Sequence, residues 1–279
     1  MTMKIIDVHI HPHHVPQLFP DHTLPLNDPA GRADTLVKLM DATGVAVSGI
    51  LGRVPPFQSE REVREGNDFT VAMVRARPDR FYGMCFINPL HSPSFVAGEL
   101  DRVLSQPEIR GIKLEIDVNC RDFRLDLVMS KAREYRAVVL QHCWYLSFWN
   151  DTSGEGRYRQ QGRSEPHDVA DLARRFPDVP IIMAHLDGCG VRGVLDVKDC
   201  PNVRIDTSGG QPFSGIVEYA VRHLGAERLL FGSDRPGARG FESQLARVQG
   251  AAISEEARRK IFSENAINLF RLNEFAAIA

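Results

Sequence analysis

Eight short apolar runs rich in β-branched residues recur along the 279-residue chain, and they set the strongest limit on its fold. The runs cover residues 4–8, 45–51, 81–87, 109–116, 137–141, 179–184, 203–206 and 228–232. Polar loops and segments of helical periodicity separate them, at residues 35–42, 69–76, 95–104, 127–135, 169–176, 216–224 and, after the last run, 254–272. Strands that alternate with helices predict βα units and a parallel sheet.

Eight such units predict an α/β protein with a distorted (β/α)8 TIM barrel, forming a single domain over residues 1–279. The rival fold, an open doubly wound sheet, usually carries a glycine-rich phosphate loop after its first strand. Here the first run leads into His11-Pro12-His13-His14. Two long loops are expected after strands one and five, at residues 12–31 and 143–166. In a barrel both lie at the carboxyl ends of the strands, where active sites form.

Composition excludes several classes of protein. The 34 Lys+Arg and 36 Asp+Glu give a net charge of −2, which offers no positive field for nucleic acid. No apolar run approaches the ~18 residues of a membrane span, and the amino terminus has no signal core, so we expect a cytoplasmic protein without a membrane partner. The five cysteines form no C-x-x-C pair and are expected to be reduced and mostly buried. The expected partner is a small-molecule substrate, with a homodimer as the default assembly.

Histidines and an aspartate stand where the predicted strands end. His9 and His11 close the first run, and residues two apart on a strand point to the same side. His142 follows the fifth run, His185 the sixth and Asp234 the eighth. Barrel closure brings these ends onto one rim, so they predict a site for one divalent metal ion. Nitrogen and oxygen ligands suit Zn²⁺, the first choice, but also Mn²⁺, Fe²⁺ or Co²⁺, and no second ion is expected.

Further side chains are candidates for catalysis and binding. Asp234 is predicted to orient a metal-activated water and to carry its proton. Asp7 is predicted to hold a ligand histidine in one tautomer, or alternatively to accept hydrogen bonds from backbone amides. Arg53 is a candidate to grip a substrate carboxylate. Trp144 and Trp149 are candidates to wall the pocket, with ordinary loop packing as the alternative.

Several segments resemble one enzyme family. They are residues 6–11, 77–83, 111–114, 184–185, 231–236 and 263–266. In this order they resemble the amidohydrolase superfamily, in the amidohydrolase 2 branch that includes aminocarboxymuconate semialdehyde decarboxylase and related decarboxylases, lactonases and hydratases. The resemblance spans nearly the whole chain. It implies that His9, His11, His142 and Asp234 bind the metal and that His185 contacts the water and substrate, although in some branches this histidine binds a second metal.

The role of Lys113 stays open in the sequence. In binuclear members of the superfamily a strand-four lysine is carbamylated and bridges two metals. Here Lys113 is predicted to contact either the substrate or a residue that supports the metal ligands. Glu115 lies two residues on and shares its face, so a simple ion pair is the alternative.

The leading functional hypothesis is a metal-dependent hydrolase of a small ester, lactone or amide, with Asp234 and His185 as catalytic residues. The alternative is a non-oxidative decarboxylase of a small unsaturated or aromatic acid. Both fit every segment above, and hydrolysis is placed first because it is common in the wider superfamily. A TatD-type deoxyribonuclease is a remote alternative. That group has a glutamate ahead of its strand-four Ile-Gly-Leu stretch, where this chain has Gly111-Ile112-Lys113-Leu114. A binding protein without catalysis is disfavoured by the complete ligand set.

Overall fold

The described part of the chain forms an eight-stranded parallel barrel. The computed structural model describes residues 4–12, 28–51, 58–145, 162–209, 214–234 and 241–278. The strands are β1 (Ile5–Ile10), β2 (Val45–Leu51), β3 (Phe81–Phe86), β4 (Ile109–Leu114), β5 (Val138–Gln141), β6 (Ile181–Met183), β7 (Val203–Asp206) and β8 (Leu229–Leu230). Each pairs in parallel with the next along the chain. The predicted fold is thus confirmed, and every strand lies within or overlaps its predicted run.

Backbone hydrogen bonds between β8 and β1 close the barrel. The amide of Val8 donates to the carbonyl of Phe231 over 2.9 Å, and the amide of Asp234 donates to the carbonyl of His9 over 2.8 Å. The register of β1 against β2 is irregular between Asp7 and Ile10. Closure therefore places Asp234 beside His9 at a point where the first strand departs from regular pairing.

Ten α-helices are seen in the described residues. They are α1 (Pro29–Thr43), α2 (Glu60–Ala76), α3 (Pro93–Leu104), α4 (Leu125–Tyr135), α5 (Pro166–Arg175), α6 (Leu186–Asp196), α7 (Ile216–Leu224), α8 (Phe241–Gln249), α9 (Glu255–Arg259) and α10 (Asn265–Phe270). Several begin earlier than the periodicity predicts, because their first turns are polar. The first turn of α2 is set instead by a capping box between Ser59 and Glu62.

Two helices and one irregularity escaped the sequence analysis. Helix α6 contains Gly188, Gly190 and Gly193, and glycine is a poor helix former. Helix α8 was not predicted either. The predicted helix over 254–272 is interrupted by a π-helical turn at Lys260–Glu264, between α9 and α10. Ser254 does cap it, since its side chain accepts from the amide of Ala257.

Two apolar layers lie on the two sides of the barrel wall. The outer layer packs the strands against the helices and includes Ile112, Leu114 and Val139. The inner layer consists of Ile6, Val8, Val47, Leu51, Tyr82, Met84, Val138, Leu140, Ile182, Ala184, Leu230, Ala266, Ile267, Phe270, Leu272 and Phe275. Its last five members come from the carboxyl-terminal segment, which closes the amino-terminal end of the barrel. Among the described residues, the opposite end, where the strands finish, is the end left open for a site.

Neither a disulfide bond nor a membrane-spanning helix occurs in the part of the chain that the structure describes. All five cysteines are buried and unbridged, as expected. None of the helices in the described ranges combines the length and the apolar character needed to cross a bilayer.

Candidate metal centre

Three of the predicted ligands converge at the mouth of the barrel. His9 Nε2 lies 3.1 Å from His11 Nε2 and 3.4 Å from Asp234 Oδ1, and His11 Nε2 lies 3.3 Å from the same oxygen. Donors about 2.0–2.2 Å from one cation lie about 3–3.5 Å from one another. His9 is fully buried, and the His11 side chain is 14% exposed. The donor set and its spacing therefore fit one divalent cation.

The orientation of His9 is set by Asp206, a residue that the sequence analysis did not single out. His9 Nδ1 lies 2.8 Å from Asp206 Oδ2, so it donates there and leaves the lone pair of Nε2 directed at the other donors. Asp206 also accepts from the amides of His185 and Ser208, each over 3.0 Å. Burial alone would raise the pKa of Asp206, but His9 and the other donors hold it below its usual value. As the last residue of the seventh run, Asp206 could have been found by the rule that selected the histidines.

Asp7 accepts hydrogen bonds from the backbone, which differs from the first role predicted for it. Its Oδ1 accepts from the amides of His9 and Ser233, each over 3.0 Å, which is the alternative considered for this residue. Burial raises the pKa of Asp7 to about 7, although these hydrogen bonds oppose the shift. Asp7 thus supports the backbone of β1 and the residues after β8, and Asp206 makes the contact with the ligand imidazole.

His185 and Asp234 both have left-handed backbone conformations, with φ of 71° and 55°. Such angles are uncommon outside glycine and cost on the order of 1 kcal/mol or more. Ile182 and Ala184 face the interior, so a continued strand would turn residue 185 outward. The left-handed turn instead brings His185 Nδ1 to 3.8 Å from Asp234 Oδ2 and 2.9 Å from Ser208 Oγ.

Burial governs how these two groups ionise. It lowers the pKa of His185 to about 3, so this imidazole is neutral at pH 7. Burial alone would raise the pKa of Asp234, but its interactions with His9 and His185 and a hydrogen bond from His11 hold it well below its usual range. A neutral imidazole thus lies beside an ionised carboxylate.

His142 lies beside the three-donor cluster. Its Nδ1 is 3.3 Å from His185 Nε2 and 3.3 Å from Glu115 Oε2. Lys113 Nζ is 2.9 Å from Glu115 Oε1, so the ion pair considered for this lysine is present. Burial lowers the pKa of His142 to about 4. Burial opposes ionisation of Glu115, but Lys113 and His142 outweigh it and lower the pKa of this carboxyl to about 2.

Within the described ranges, two groups of side chains have donor atoms close enough together to bind one metal ion. One is His9, His11 and Asp234, and the other is His9, His185 and Asp206. Neither contains His142, whose role as a ligand rests on the family resemblance and stays a prediction.

Trp144 forms part of the mouth. Its ring meets His185 edge-on, with centroids 5.2 Å apart. A Cβ on Gly188 would come within 2.5 Å of that ring, so glycine there permits the close approach of α6. The Arg163 side chain donates to the carbonyls of Trp144 and Tyr145, which fixes this segment. The predicted role of Trp144 in substrate binding stays a prediction.

The remaining substrate-binding predictions cannot be placed. Arg53 and Trp149 lie outside the described residues, as do residues 13–27 and 146–161 of the two long loops.

Known proteins resemble this chain over most of its length. The profile of the amidohydrolase family matches residues 6–272. Gamma-resorcylate decarboxylase from Polaromonas sp. (strain JS666) is 26% identical, over 86% of this chain and 87% of that protein.

Solved structures show the same fold. The 5-carboxyvanillate decarboxylase of Novosphingobium aromaticivorans, crystallised with manganese and 4-hydroxy-3-methoxy-5-nitrobenzoic acid, superposes with a TM-score of 0.75 at 15% identity and 97% coverage of both chains. A dihydroxybenzoic acid decarboxylase from Polaromonas sp. JS666, with bound manganese and 2-nitroresorcinol, gives a TM-score of 0.71 at 20% identity and 98% coverage of both.

These findings correct the leading functional hypothesis. The hydrolase prediction is wrong, because these full-length relatives are decarboxylases and match the alternative. The physical reason is that one metal site serves both reactions, so the ligand residues could not separate them. The preference for zinc is not confirmed, since both of these structures hold manganese. With its fold, its donor cluster and a family match over residues 6–272, the chain belongs to the amidohydrolase family and is an enzyme of the amidohydrolase 2 branch.

Proposed function

We propose that this enzyme is a divalent-metal-dependent, non-oxidative decarboxylase of a small aromatic or unsaturated acid. The observation that carries the proposal is the similarity to gamma-resorcylate decarboxylase over 86% of the chain. The donor cluster at the mouth supports the proposal, because its two imidazole nitrogens and one carboxylate oxygen are suitable ligands for a divalent cation. Manganese is the first ion to test and zinc the second.

His9, His11 and Asp234 would hold the cation, and His142 is the proposed fourth ligand. When bound, a divalent cation anchors a substrate oxygen and stabilises the negative charge that develops as CO₂ leaves. The tautomer of His9 supports this assignment, since its Nδ1 contact with Asp206 leaves Nε2 available as a ligand.

The reaction needs a proton at a defined place. The bond between the substrate carbon and its carboxylate breaks, the electron pair stays on that carbon, and the carbon takes up a proton. Asp234 Oδ1 faces the two histidines, whereas Oδ2 is turned towards His185. We assign Oδ2 as the atom that passes the proton to the carbon. Because Asp234 is ionised and His185 neutral at rest, that proton arrives from a substrate hydroxyl or from solvent.

The neighbourhood of the cluster suits a planar acid. Trp144 presents an aromatic wall beside His185. Arg53 is proposed to hold a carboxylate in two-pronged fashion. The proposed partner is therefore a small-molecule acid.

The test begins with protein purified without chelator, analysed for metal content and loaded with Mn²⁺ or Zn²⁺. We expect about one equivalent of metal and CO₂ release from members of a panel of hydroxybenzoic and unsaturated acids. Asp234→Asn should abolish release of CO₂. Asp178→Asn is the control, because Asp178 is an exposed residue that pairs with Arg133, and it should leave release unchanged. Metal-loaded enzyme that releases no CO₂ from the panel but releases protons from lactones or esters would contradict the proposal.

A further inference from the structure

We propose that Lys113 and Glu115 are a positioning pair for His142. Lys113 holds one oxygen of Glu115, so that the other oxygen accepts a hydrogen bond from Nδ1–H of His142 and leaves Nε2 of that imidazole free to bind metal. The inference rests on the metal centre of the proposed function and gives Lys113 a role other than substrate contact.

The position of Lys113 in the barrel wall is the first argument. Its neighbours Ile112 and Leu114 pack into the outer layer, so Lys113 points to the interior. It is fully buried, and a buried ammonium group is tolerated only beside a compensating charge. Glu115 supplies that charge at 2.9 Å. Moving the ammonium to a substrate would leave the buried carboxylate of Glu115 without its cationic partner, at a cost that the ion pair avoids.

The two oxygens of Glu115 are divided between two partners. Oε1 faces Lys113, and Oε2 lies 3.3 Å from His142 Nδ1. If His142 carried its proton on Nε2, the lone pair of Nδ1 would face a carboxylate oxygen. Two acceptors at that distance repel each other. A proton on Nδ1 removes the conflict and leaves Nε2 unprotonated.

The same assignment agrees with the rest of the mouth. His185 Nδ1 donates to Ser208 Oγ, and the Ser208 hydroxyl donates to Asp206 Oδ1. His185 Nε2 then carries a lone pair and, at 3.3 Å from His142 Nδ1, shares the single Nδ1 proton with Glu115 Oε2. His9 likewise donates from Nδ1, to Asp206 Oδ2. One choice of proton positions thus satisfies all three imidazoles.

Glu115 and Asp206 would then do the same work on two sides of the mouth. Each is a carboxylate on or just beyond the end of one strand that faces Nδ1 of a histidine from another strand. Carboxylates in this position set the tautomer of a ligand histidine, and their loss typically lowers metal affinity about 10–100-fold.

Nuclear magnetic resonance on the metal-free enzyme tests the proposal directly. With ¹⁵N-labelled histidine, long-range ¹H–¹⁵N correlations report which ring nitrogen of His142 is protonated. We expect Nδ1–H in the wild type and a mixture of tautomers in Lys113→Met and Glu115→Gln. Mn²⁺ affinity, measured by chelator competition, should fall about 10–100-fold in both variants. Lys131→Met is the matched control, because it removes a lysine paired with Asp101 on the outer helices.

Other outcomes would overturn the proposal. An Nε2–H tautomer in the wild type would do so, as would unchanged Mn²⁺ affinity in Glu115→Gln. If Lys113→Met raised KM while affinity and tautomer stayed at wild-type values, Lys113 would be a substrate contact. Loss of one of two bound metals in that variant would make it a bridging ligand.

The experiment remains interpretable if one variant does not fold or if no acid is decarboxylated. Glu115→Gln has the shape of the native side chain, so it carries the test if Lys113→Met does not fold. If the tautomer and affinity changes appear but no acid releases CO₂, the proposed function fails and the positioning pair stands.

Discussion

The two ends of this barrel are built from the same eight strands and are opposite in chemistry. At the carboxyl end, His9, His11, His185 and Asp234 meet within a few ångströms, and two of them hold left-handed backbone angles. At the amino end, Phe270 and its neighbours fill the opening with apolar side chains, and Phe270 lies against Tyr82 with ring centroids 4.9 Å apart.

The contrast shows how this fold separates stability from function. The apolar end gains free energy chiefly from the burial of hydrocarbon. The mouth buries ionisable groups and strains its backbone, both of which cost stability. Substitutions at the two ends should therefore change different measured quantities.

The largest expected effect is at the mouth. Asp234→Asn removes both a ligand oxygen and the proposed proton carrier, so kcat should fall roughly 10⁴-fold, the upper range for loss of a proton-transfer group. Asparagine tolerates the left-handed φ of 55°, so the thermal midpoint of the metal-free protein should stay near the wild-type value. Turnover measured beside a melting curve tests both statements, and retained activity would remove Asp234 from the mechanism.

Acid should destabilise the mouth selectively in the metal-free protein. Burial lowers the pKa of His185 to about 3 and of His142 to about 4, below the ordinary value of 6.5. The unfolded chain therefore binds more protons between pH 6.5 and pH 4, and the free energy of unfolding falls as pH falls through that window. Protonation of Asp7, whose pKa burial raises to about 7, acts in the opposite sense over the same window, so the expected net loss by pH 4 is roughly 2–3 kcal/mol. Protonation of Glu115 should add a further loss between pH 4.5 and pH 2.

Urea unfolding at pH 7, 5.5 and 4 measures this dependence. His142→Gln should flatten it, whereas His167→Gln, whose side chain is 46% exposed, should not. A free energy of unfolding that stays constant from pH 7 to pH 4 would contradict the assignment of neutral, buried imidazoles.

The apolar end is tested by Phe270→Ala. Removing this fully buried ring should lower the free energy of unfolding by about 3–5 kcal/mol. Metal affinity and KM should stay within about twofold of the wild type, because the residue is remote from the donors. Phe123→Ala is the control, since that ring is 73% exposed and should cost less than about 0.5 kcal/mol. A large change in metal affinity would show that the two ends are coupled.

The smallest effect is expected at the carboxylate that orients His9. Asp206→Asn should lower Mn²⁺ affinity about 10–100-fold, because the carboxylate that orients His9 is lost. Equilibrium dialysis measures it, with Asp126→Asn on the outer surface as control. Unchanged affinity would mean that β1 and the barrel closure orient His9 without help from Asp206.

Much of the fold was readable because its signals are local. Each strand appears as its own apolar run, and the residue that follows it can be named without knowledge of its neighbours. His9, His11 and Asp234 were found in this way. Helix α6 was missed for the same reason, since its glycines weaken the local helical signal and only packing against the barrel holds it.

The reaction could not be read from the ligand residues. The same donors serve hydrolysis and decarboxylation, and the full-length relatives favoured the second. The metal has the same ambiguity, because imidazole and carboxylate accept several divalent ions.

The sequence alone thus determined the number of strands, their order and the residues that close them, since periodicity is carried by neighbouring residues. Only the tertiary structure decided which side chains meet. It paired His9 with Asp206, 197 residues away, whereas the strand pattern offered Asp7 as a candidate for that contact. It also turned His185 into the mouth through a backbone angle that no side-chain pattern encodes. Such contacts depend on how the strands are staggered when the barrel closes, and that stagger is a property of all eight together.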